Sequence, residues 1–400
     1  MDHACSSHDH PSYAASSVHP ALASPHTFET YTQALCEHLT EQLATPFKPS
    51  LPFRGELPAT VQLLGERLGL DWADMQAIAL ATAPHLDPEV ACLYGVIADT
   101  DNAPIGLSRE VLAYMTGQSL FQLEHSYGAL LLGSAKSLRM GLLGFKQGLF
   151  VPTPQLRSCL AGRSTLPDDM TYWAEHMTPI ATGPIMDDLQ WTTIERVRLR
   201  WSSDRLPPLT VIYGPSGVGR TMTATYIANA RPMDLITVDL KHAPPEANAY
   251  TLEREALWLG AALLLRVPSS GLDERWRHQL HNLLQSQVPL MISADPGCHL
   301  GLSTTARSFV RIDLDRPSLA VRQRLWRHYL PRRVRQKGLT DETLAVRFGG
   351  VGRDIVRLAR MAMDEAGVRG APGSRPQVTL ELLSSLVHKL QSGGLSGLGR

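Results

Sequence analysis

The most informative part of the sequence for the fold is Gly214-Pro215-Ser216-Gly217-Val218-Gly219-Arg220-Thr221. It matches the phosphate-binding pattern Gly-x4-Gly-Lys-[Ser/Thr] at every defined position except the lysine, which is replaced by Arg220. Glycines are required there because the backbone N–H groups must wrap closely around a phosphate. We expect the whole stretch and Met222 to bind nucleotide, with the Thr221 hydroxyl facing Mg²⁺ if the metal binds.

The flanking segments are those of an α/β protein. The apolar strand Leu209–Tyr213 precedes the loop, and a helix is predicted to begin near Gly219. Further strand-like and helix-like segments then alternate, which predicts a parallel sheet with right-handed crossovers. The other predicted strands are Asp234–Leu240, Ala261–Val267, Leu290–Ala294 and Phe309–Leu314, and the other helices begin near Thr251 and Leu272.

Six segments are predicted along the 400 residues. A parallel-sheet P-loop core is followed by a helical lid and is preceded by a mostly helical, winged-helix-like domain. The segments are a disordered tail (1–26), the winged-helix-like domain (27–162), a linker (163–190), the core (191–316), the lid (317–392) and a second tail (393–400).

The winged-helix prediction depends on helical periodicity and one hairpin. Leu35, Leu39 and Leu43 recur at helical spacing, and Ser108 is a plausible helix start. The remaining predicted elements are helices at Thr60–Leu68 and Trp72–Ala83 and a hairpin with arms Ser137–Phe145 and Leu149–Pro152.

Composition points to an intracellular protein without a membrane span. The 38 basic and 38 acidic side chains cancel, which disfavours a strongly basic nucleic-acid binder. The five cysteines are scattered singly, which fits reduced thiols in a cytoplasmic protein. No apolar stretch approaches the ~20 residues of a spanning helix. His3, His8 and His10 lie near Cys5, but their spacing in a tail favours no fixed metal site.

The acidic pair that a hydrolysing site needs is missing from the strand where we expect it. Such a site uses an Asp to hold Mg²⁺ and a Glu to polarise the attacking water. The strand that begins at Ala261 ends instead in Arg266-Val267. Asp239 is predicted to end the neighbouring strand, and Asp273 and Glu274 to begin the next helix, where acidic residues favour the positive helix end.

With these motifs, residues 185–392 resemble the AAA family of P-loop ATPases, and within it the bacterial ATPases encoded with contractile injection systems. The segments Leu80–Asp87, Leu93–Asp99 and Leu257–Leu265 are similar to that subgroup. The resemblance implies a helical, winged-helix-like domain before the ATPase core. It also places Arg266 and Val267 where the two acids would stand.

Further positions follow from this resemblance. Ser293 or Asp295 would be the polar sensor near the γ-phosphate, or else part of a plain strand end. Arg307 would be an arginine finger or an ordinary exposed arginine, and Arg353 the second sensor or a helix-start residue. Tyr250 lies where unfoldases carry a pore aromatic, but the flanking residues of that motif are absent.

Basic residues also cluster in the predicted lid. They could contact phosphate or nucleic acid, or they could form the solvated face of an amphipathic helix, which we favour. The cluster surrounds Trp326 and Tyr329 and comprises Arg322, Arg324, Arg327, Arg332, Arg333, Arg335 and Lys337.

Three functions remain open at this point. The first is a degenerate AAA-type module that binds ATP or ADP, with doubtful Mg²⁺, and acts as an assembly or adaptor subunit in a homo- or hetero-oligomer. The second is an active ATPase that remodels a protein complex, with Asp239 or Asp273 recruited as the acid. The third is a DNA-binding initiator or transposition helper, which the charge balance does not favour.

Overall fold

The computed structural model describes residues 27–44, 52–99, 105–204, 206–302, 307–369 and 377–395. The chain divides into two compact units, Met1–Arg163 and Ser164–Arg400. The expectations for the first tail, including its histidines and Cys5, lie outside the described residues. Within the described residues, no helix combines the length and the apolar character that crossing a bilayer requires.

The first unit is mostly helical. Side-chain oxygens of Thr27, Asp71, Ser108 and Thr153 accept hydrogen bonds from backbone N–H groups in the first turns of four of its helices. Its elements are α1 (Phe28–Leu43), α2 (Ala59–Leu68), α3 (Trp72–Leu86), α4 (Pro88–Ile97), α5 (Arg109–Thr116), α6 (Leu120–Ser126), α7 (Gly128–Leu131), α8 (Lys136–Arg139), β1 (Leu143–Lys146), β2 (Leu149–Pro152) and α9 (Pro154–Leu160).

The predicted hairpin is present but shorter than expected. Strands β1 and β2 pair antiparallel, and Gly148 has a φ of +85° in the turn between them. The predicted first arm is wrong from Ser137 to Leu142, because this segment forms α8 and a turn. There Ser137 donates from both its backbone N–H and its hydroxyl to the buried Asp74 carboxylate. The winged-helix assignment stays a prediction.

The second unit contains a six-stranded, mostly parallel sheet in the order β3-β5-β6-β7-β4-β8. Five strands run parallel, as expected, and all five were predicted from the sequence. The strands are β3 (Ala174–Met177), β4 (Leu209–Tyr213), β5 (Leu235–Asp239), β6 (Ala262–Arg266), β7 (Leu290–Ala294) and β8 (Phe309–Asp313).

Strand β3 lies in the segment 163–190 that we expected to be linker. It pairs antiparallel with β5 and forms one edge of the sheet. Its sequence, Ala-Glu-His-Met, lacks the run of large apolar residues that marks a central strand, which explains why the pattern did not predict it. A 3₁₀ turn at Asp168–Met170 precedes it.

Helices cover both faces of this sheet. Alternate residues of each strand point to opposite faces, so Leu263 and Leu265 join one buried cluster while Leu264 joins the other. The first cluster includes Trp276 of α13, and the second includes Trp201 of α10. The helices are α10 (Asp188–Ser203), α11 (Arg220–Ala228), α12 (Ala249–Leu259) and α13 (Glu274–Gln285).

After Pro317 the regular elements of the described chain are helices, apart from one isolated bridge between Arg335 and Val378, and this part encloses its own core around Trp326. The helices are α14 (Leu319–Tyr329), α15 (Asp341–Arg347), α16 (Gly352–Arg369) and α17 (Leu380–Leu395). We refer to these four helices as the lid. The last helix continues three residues past the predicted boundary at 392, and residues 396–400 lie outside the described part.

Candidate functional site

The glycine-rich loop lies between the carboxyl end of β4 and the start of α11. Gly217 and Gly219 have φ values of +87° and +107°, which residues with a Cβ rarely adopt. A Cβ on Gly214 would approach the Leu314 carbonyl oxygen to 2.6 Å, and one on Gly217 would approach Val351 Cγ2 to 2.6 Å. The backbone geometry therefore requires Gly214 and Gly219, which the phosphate-binding pattern specifies, and also Gly217, which lies at a variable position of the pattern.

The amino end of α16 rests directly on this loop. The backbone N–H of Arg353 donates to the Gly217 carbonyl oxygen at 2.9 Å. This contact explains why the space beside Gly217 is closed to a side chain. The lid helix and the phosphate loop are thus held together by main-chain atoms, and the Arg353 side chain lies beside the loop.

A cavity of about 680 Å³ opens between the loop, the sheet and the lid. One part of the cavity wall is apolar and is formed by residues before α10 and by residues of the lid. It includes Ile185, Met186, Val321, Leu325 and Met361. The other part is polar and includes Ser216, Arg220, Thr221, Arg266, Ser293, Arg353, Arg357 and Arg360. Of the predicted binding residues, all from Ser216 to Met222 line this cavity.

Arg220, which replaces the usual lysine, is held by an acid. Its Nη1 donates to Oδ1 of Asp295 at 2.8 Å, and the two side chains are 16% and 32% exposed. Asp295 follows β7, as the sensor assignment implied, and Ser293 of β7 lines the cavity. The structure brings both sensor candidates close to the loop but ties Asp295 to Arg220.

Arg266 is the last residue of β6 and Val267 follows it, so both lie at the carboxyl end of the strand, which faces the cavity. The register aligns Arg266 with Ser293, and Ser293 with Ile212 of the loop strand. The exposed Arg266 lines the cavity, whereas Val267 is buried. The resemblance implies that a hydrolysing site would have its Asp and Glu at these two positions. This chain has a cation and an apolar side chain there.

The other acids considered from the sequence have structural partners. Asp239 lies opposite Arg266 in register, with Oδ2 at 3.8 Å from Arg266 Nη1, and it accepts from the Lys241 backbone N–H. Asp273 caps α13 by accepting from the Trp276 N–H at 2.7 Å. Tyr250 lies in the first turn of α12 and not in a loop.

Arg307 lies near the amino ends of the parallel strands, at the opposite end of the strands from the cavity. Its guanidinium donates to the carbonyl oxygens of Val288 and Pro207, both at 3.0 Å, and these residues precede β7 and β4. The cavity lies at the carboxyl ends of those strands. Burial lowers the pKa of Arg307 to about 10, so it remains charged at neutral pH. The structure does not bring Arg307 together with Arg353 and Asp295, and its role as a finger stays a prediction.

Most arginines of the basic cluster in the lid make hydrogen bonds within their own chain. The buried Arg335 donates to Asp341 Oδ1 and to the carbonyl oxygens of Leu330 and Trp326. Arg327 and Arg332 both donate to Asp341 Oδ2. Burial works against ionisation of Asp341, but the hydrogen bonds from the arginines outweigh it and lower its pKa. Arg322 and Arg324 also donate to backbone carbonyls.

The cavity fits a nucleotide better than it fits a nucleotide with Mg²⁺. The loop would hold the phosphates and the apolar wall would hold a base, since such sites combine an apolar surface with a few placed polar groups. For the metal, Thr221 supplies one oxygen, but the end of β6 in the same cavity presents Arg266. A guanidinium repels a divalent cation, so this donor set does not suit Mg²⁺.

Two arginines of the cavity were not among the predicted site residues. Arg357 and Arg360 lie on the same face of α16 as Arg353, because positions i, i+4 and i+7 fall on one side of a helix. That spacing is visible in the sequence from Gly352 onward and could have revealed them. The ion pair between Arg220 and Asp295 joins residues 75 apart and has no local signal.

No protein-family model matches this chain, and no curated protein matches it. Among solved structures, the chain is similar to one described as "Structural Basis for Katanin Self-Assembly", with 16% sequence identity and a TM-score of 0.40. The similarity covers 56% of this chain and 91% of the other. A likeness of this size indicates nothing about activity.

Proposed function

We propose that residues 164–400 form a degenerate AAA-type module that binds ATP or ADP, hydrolyses ATP poorly or not at all, and acts as an assembly or adaptor subunit. The observation that carries this proposal is the end of β6, where Arg266 faces the cavity in place of a carboxylate. The lysine of the loop pattern is replaced as well, so two independent departures affect the same reaction.

Nucleotide binding is supported by the loop and the cavity wall together. The loop glycines have the positive φ values and close backbone approaches of a phosphate cradle. The apolar wall includes Ile185, Met186 and Leu325, which could pack against a base. Backbone N–H groups provide much of the phosphate binding in such loops, so affinity can survive the loss of lysine.

Poor hydrolysis follows from the missing carboxylates. Phosphoryl transfer depends almost entirely on positioning and on charge stabilisation, and loss of one preorganised group typically costs about 10²–10³-fold in rate. Arg220 adds to this effect because a planar guanidinium cannot deliver charge to the phosphates as a compact ammonium does.

The active-ATPase alternative needs an acid from elsewhere. Asp273 is used as a helix cap, and Asp239 ends the strand beyond β6, farther from the loop strand. The DNA-binding alternative relied partly on the lid arginines, most of which contact their own chain. Neither alternative is favoured by these contacts.

The adaptor role and the partners extend the proposal beyond the site. A module that binds nucleotide without turning it over can serve as a stable oligomer subunit, and the resemblance to ATPases of contractile injection systems suggests a protein complex as partner. We propose a homo- or hetero-oligomer in the cytoplasm, with no requirement for nucleic acid.

The test pairs binding with turnover on the same purified protein. Calorimetric titration with ADP and ATP should give saturable binding, while phosphate release over the same period stays at the level of a no-protein control. Arg220→Glu, which places an acid in the phosphate cradle, should abolish binding, and Arg196→Glu on the exposed face of α10 should not. Absence of binding by the parent would refute the proposal.

A further inference from the structure

We infer that this cavity binds a nucleoside polyphosphate as the metal-free anion, with arginines taking the place of the divalent cation. The inference rests on the proposed nucleotide binding and adds the charge state of the ligand. It is carried by two surfaces of the cavity that both present guanidinium groups: the end of β6 and one face of α16.

The first surface is the end of β6, which lines the same cavity as Thr221. In a magnesium-binding nucleotide site, one or two carboxylates and the phosphates share the ion. Here the strand end contributes Arg266, whose side chain is 51% exposed and reaches its carboxylate neighbour Asp239 only at 3.8 Å. That separation leaves the guanidinium able to donate to a phosphate, which is a geometry that arginine satisfies well.

The second surface is the lid. Arg353, Arg357 and Arg360 are exposed, line the cavity and share one face of α16. With Arg220 and Arg266 they bring the cavity lining to five arginines. A triphosphate without Mg²⁺ carries close to four negative charges. Arg220 is already paired with Asp295, so the other four arginines of the lining would supply the cations that replace the divalent ion.

The acids of the cavity do not form a competing metal site. The lining contains Glu175 on β3, Asp315 after β8 and Asp364 on α16, which lie on three different elements. Asp295, beside the loop, is engaged by Arg220. In the described part of the chain, no group of three or more His, Cys, Asp or Glu side chains is arranged to hold a metal ion.

The experiment measures the affinity of the full-length protein for ATP at constant ionic strength, once with EDTA and once with excess Mg²⁺. We expect the dissociation constant in EDTA to be equal to or lower than that in Mg²⁺. Affinity at least tenfold tighter in Mg²⁺ would overturn the inference and leave the proposed nucleotide binding intact. Absence of binding in both conditions would refute the proposed function itself.

Variants identify the groups that replace the metal. Arg266→Gln and Arg357→Gln should each weaken binding in EDTA by about tenfold or more, since each removes a charge-assisted hydrogen bond to the phosphates. Both side chains are exposed, and Arg196→Gln is the matched control. Unchanged affinity in both cavity variants would contradict the inference, as would a magnesium-dependent gain that Glu175→Gln removes.

Discussion

Two arginines of the chain are central to the chemistry proposed here. Arg220 and Arg266 line the same cavity, one from the loop and the other from β6. Under the proposed function, both stand where a hydrolysing site has other residues. Arg220 is neutralised by Asp295 at 2.8 Å, whereas Arg266 remains exposed. Under the proposed function, Arg220 changes how the loop would hold phosphate, and Arg266 leaves the end of β6 without a carboxylate for a metal.

Restoring the missing groups should restore some activity. The triple variant Arg220→Lys, Arg266→Asp and Val267→Glu should raise ATP turnover at least tenfold above the parent, because it returns the compact ammonium and the carboxylates to a scaffold that already has the loop geometry. Phosphate release in Mg²⁺ is the measurement, with Arg220→Lys alone as control. A folded triple variant with no gain would show that the loop itself is no longer competent.

A second residue-scale prediction concerns the lid. Asp341→Asn should lower the free energy of unfolding by about 2–4 kcal/mol, because it leaves the buried Arg335 without its carboxylate. Chemical denaturation measures the effect, and the neighbouring Glu342→Gln, at an exposed position, should change stability by less than about 0.5 kcal/mol. Equal effects of the two variants would refute a stabilising role for this cluster.

The same carboxylate predicts a pH dependence. The folded protein holds the pKa of Asp341 below the usual 3.8, so its ion pairs stabilise the fold at neutral pH. That contribution should be lost as the pH falls through the lowered pKa. The stability difference between parent and Asp341→Asn should therefore be full at pH 7 and shrink below pH 3.8. A difference that stays constant into this acidic range would contradict the assignment.

At the scale of elements, the central feature is the contact between the loop and α16. Gly217 accepts from the Arg353 backbone N–H and has no room for a Cβ, while Gly219 has a positive φ but nothing within 4 Å of its Cβ position. A side chain at Gly219 would therefore add backbone strain alone, whereas one at Gly217 would also overlap its neighbours. Their comparison tests whether the lid is seated on the loop.

We predict that Gly217→Ala costs more than Gly219→Ala. The second variant should lose about 1–2 kcal/mol of stability from backbone strain alone. The first should lose at least about 1 kcal/mol more, because the added methyl overlaps Val351. Unfolding of both variants by denaturant provides the measurement. Equal losses would mean that the loop and the lid helix do not pack as described.

The elements differ in how well the sequence predicts them. Strands β4 to β7 were predicted because buried strands are continuous apolar runs, and the loop because its glycines have a fixed spacing. The edge strand β8 is mostly exposed and has no such run, yet its sequence still predicted a strand. Strand β3 was missed because an edge strand needs no such run. The Arg220–Asp295 pair was missed because tertiary contacts between distant residues leave no periodic signal. The arginine face of α16 has a helical spacing and could have been recognised.

At the scale of the whole molecule, the cavity belongs to one unit. All the residues that line it fall between Glu175 and Asp364, within the unit Ser164–Arg400, and that unit has its own buried clusters. Compact units with their own core can fold alone. The site therefore should not depend on the helical first unit for its structure.

This independence leads to a prediction for fragments. Residues 164–400 expressed alone should fold cooperatively and bind ATP within about threefold of the full-length affinity, as judged by circular dichroism and calorimetric titration. Residues 1–163 should show no ATP binding. A tenfold weaker or unfolded 164–400 fragment would mean that the first unit contributes to the site.

The proposed loss of catalytic carboxylates at the end of β6 is tested most directly by the rate of phosphate release from ATP in Mg²⁺ by the purified full-length protein. A typical enzyme turns over about 10 times per second, and loss of two charged groups should lower this to about 10⁻³ s⁻¹ or less. Magnesium-dependent release at 1 s⁻¹ or faster, on the order of ordinary ATPases, would contradict the account.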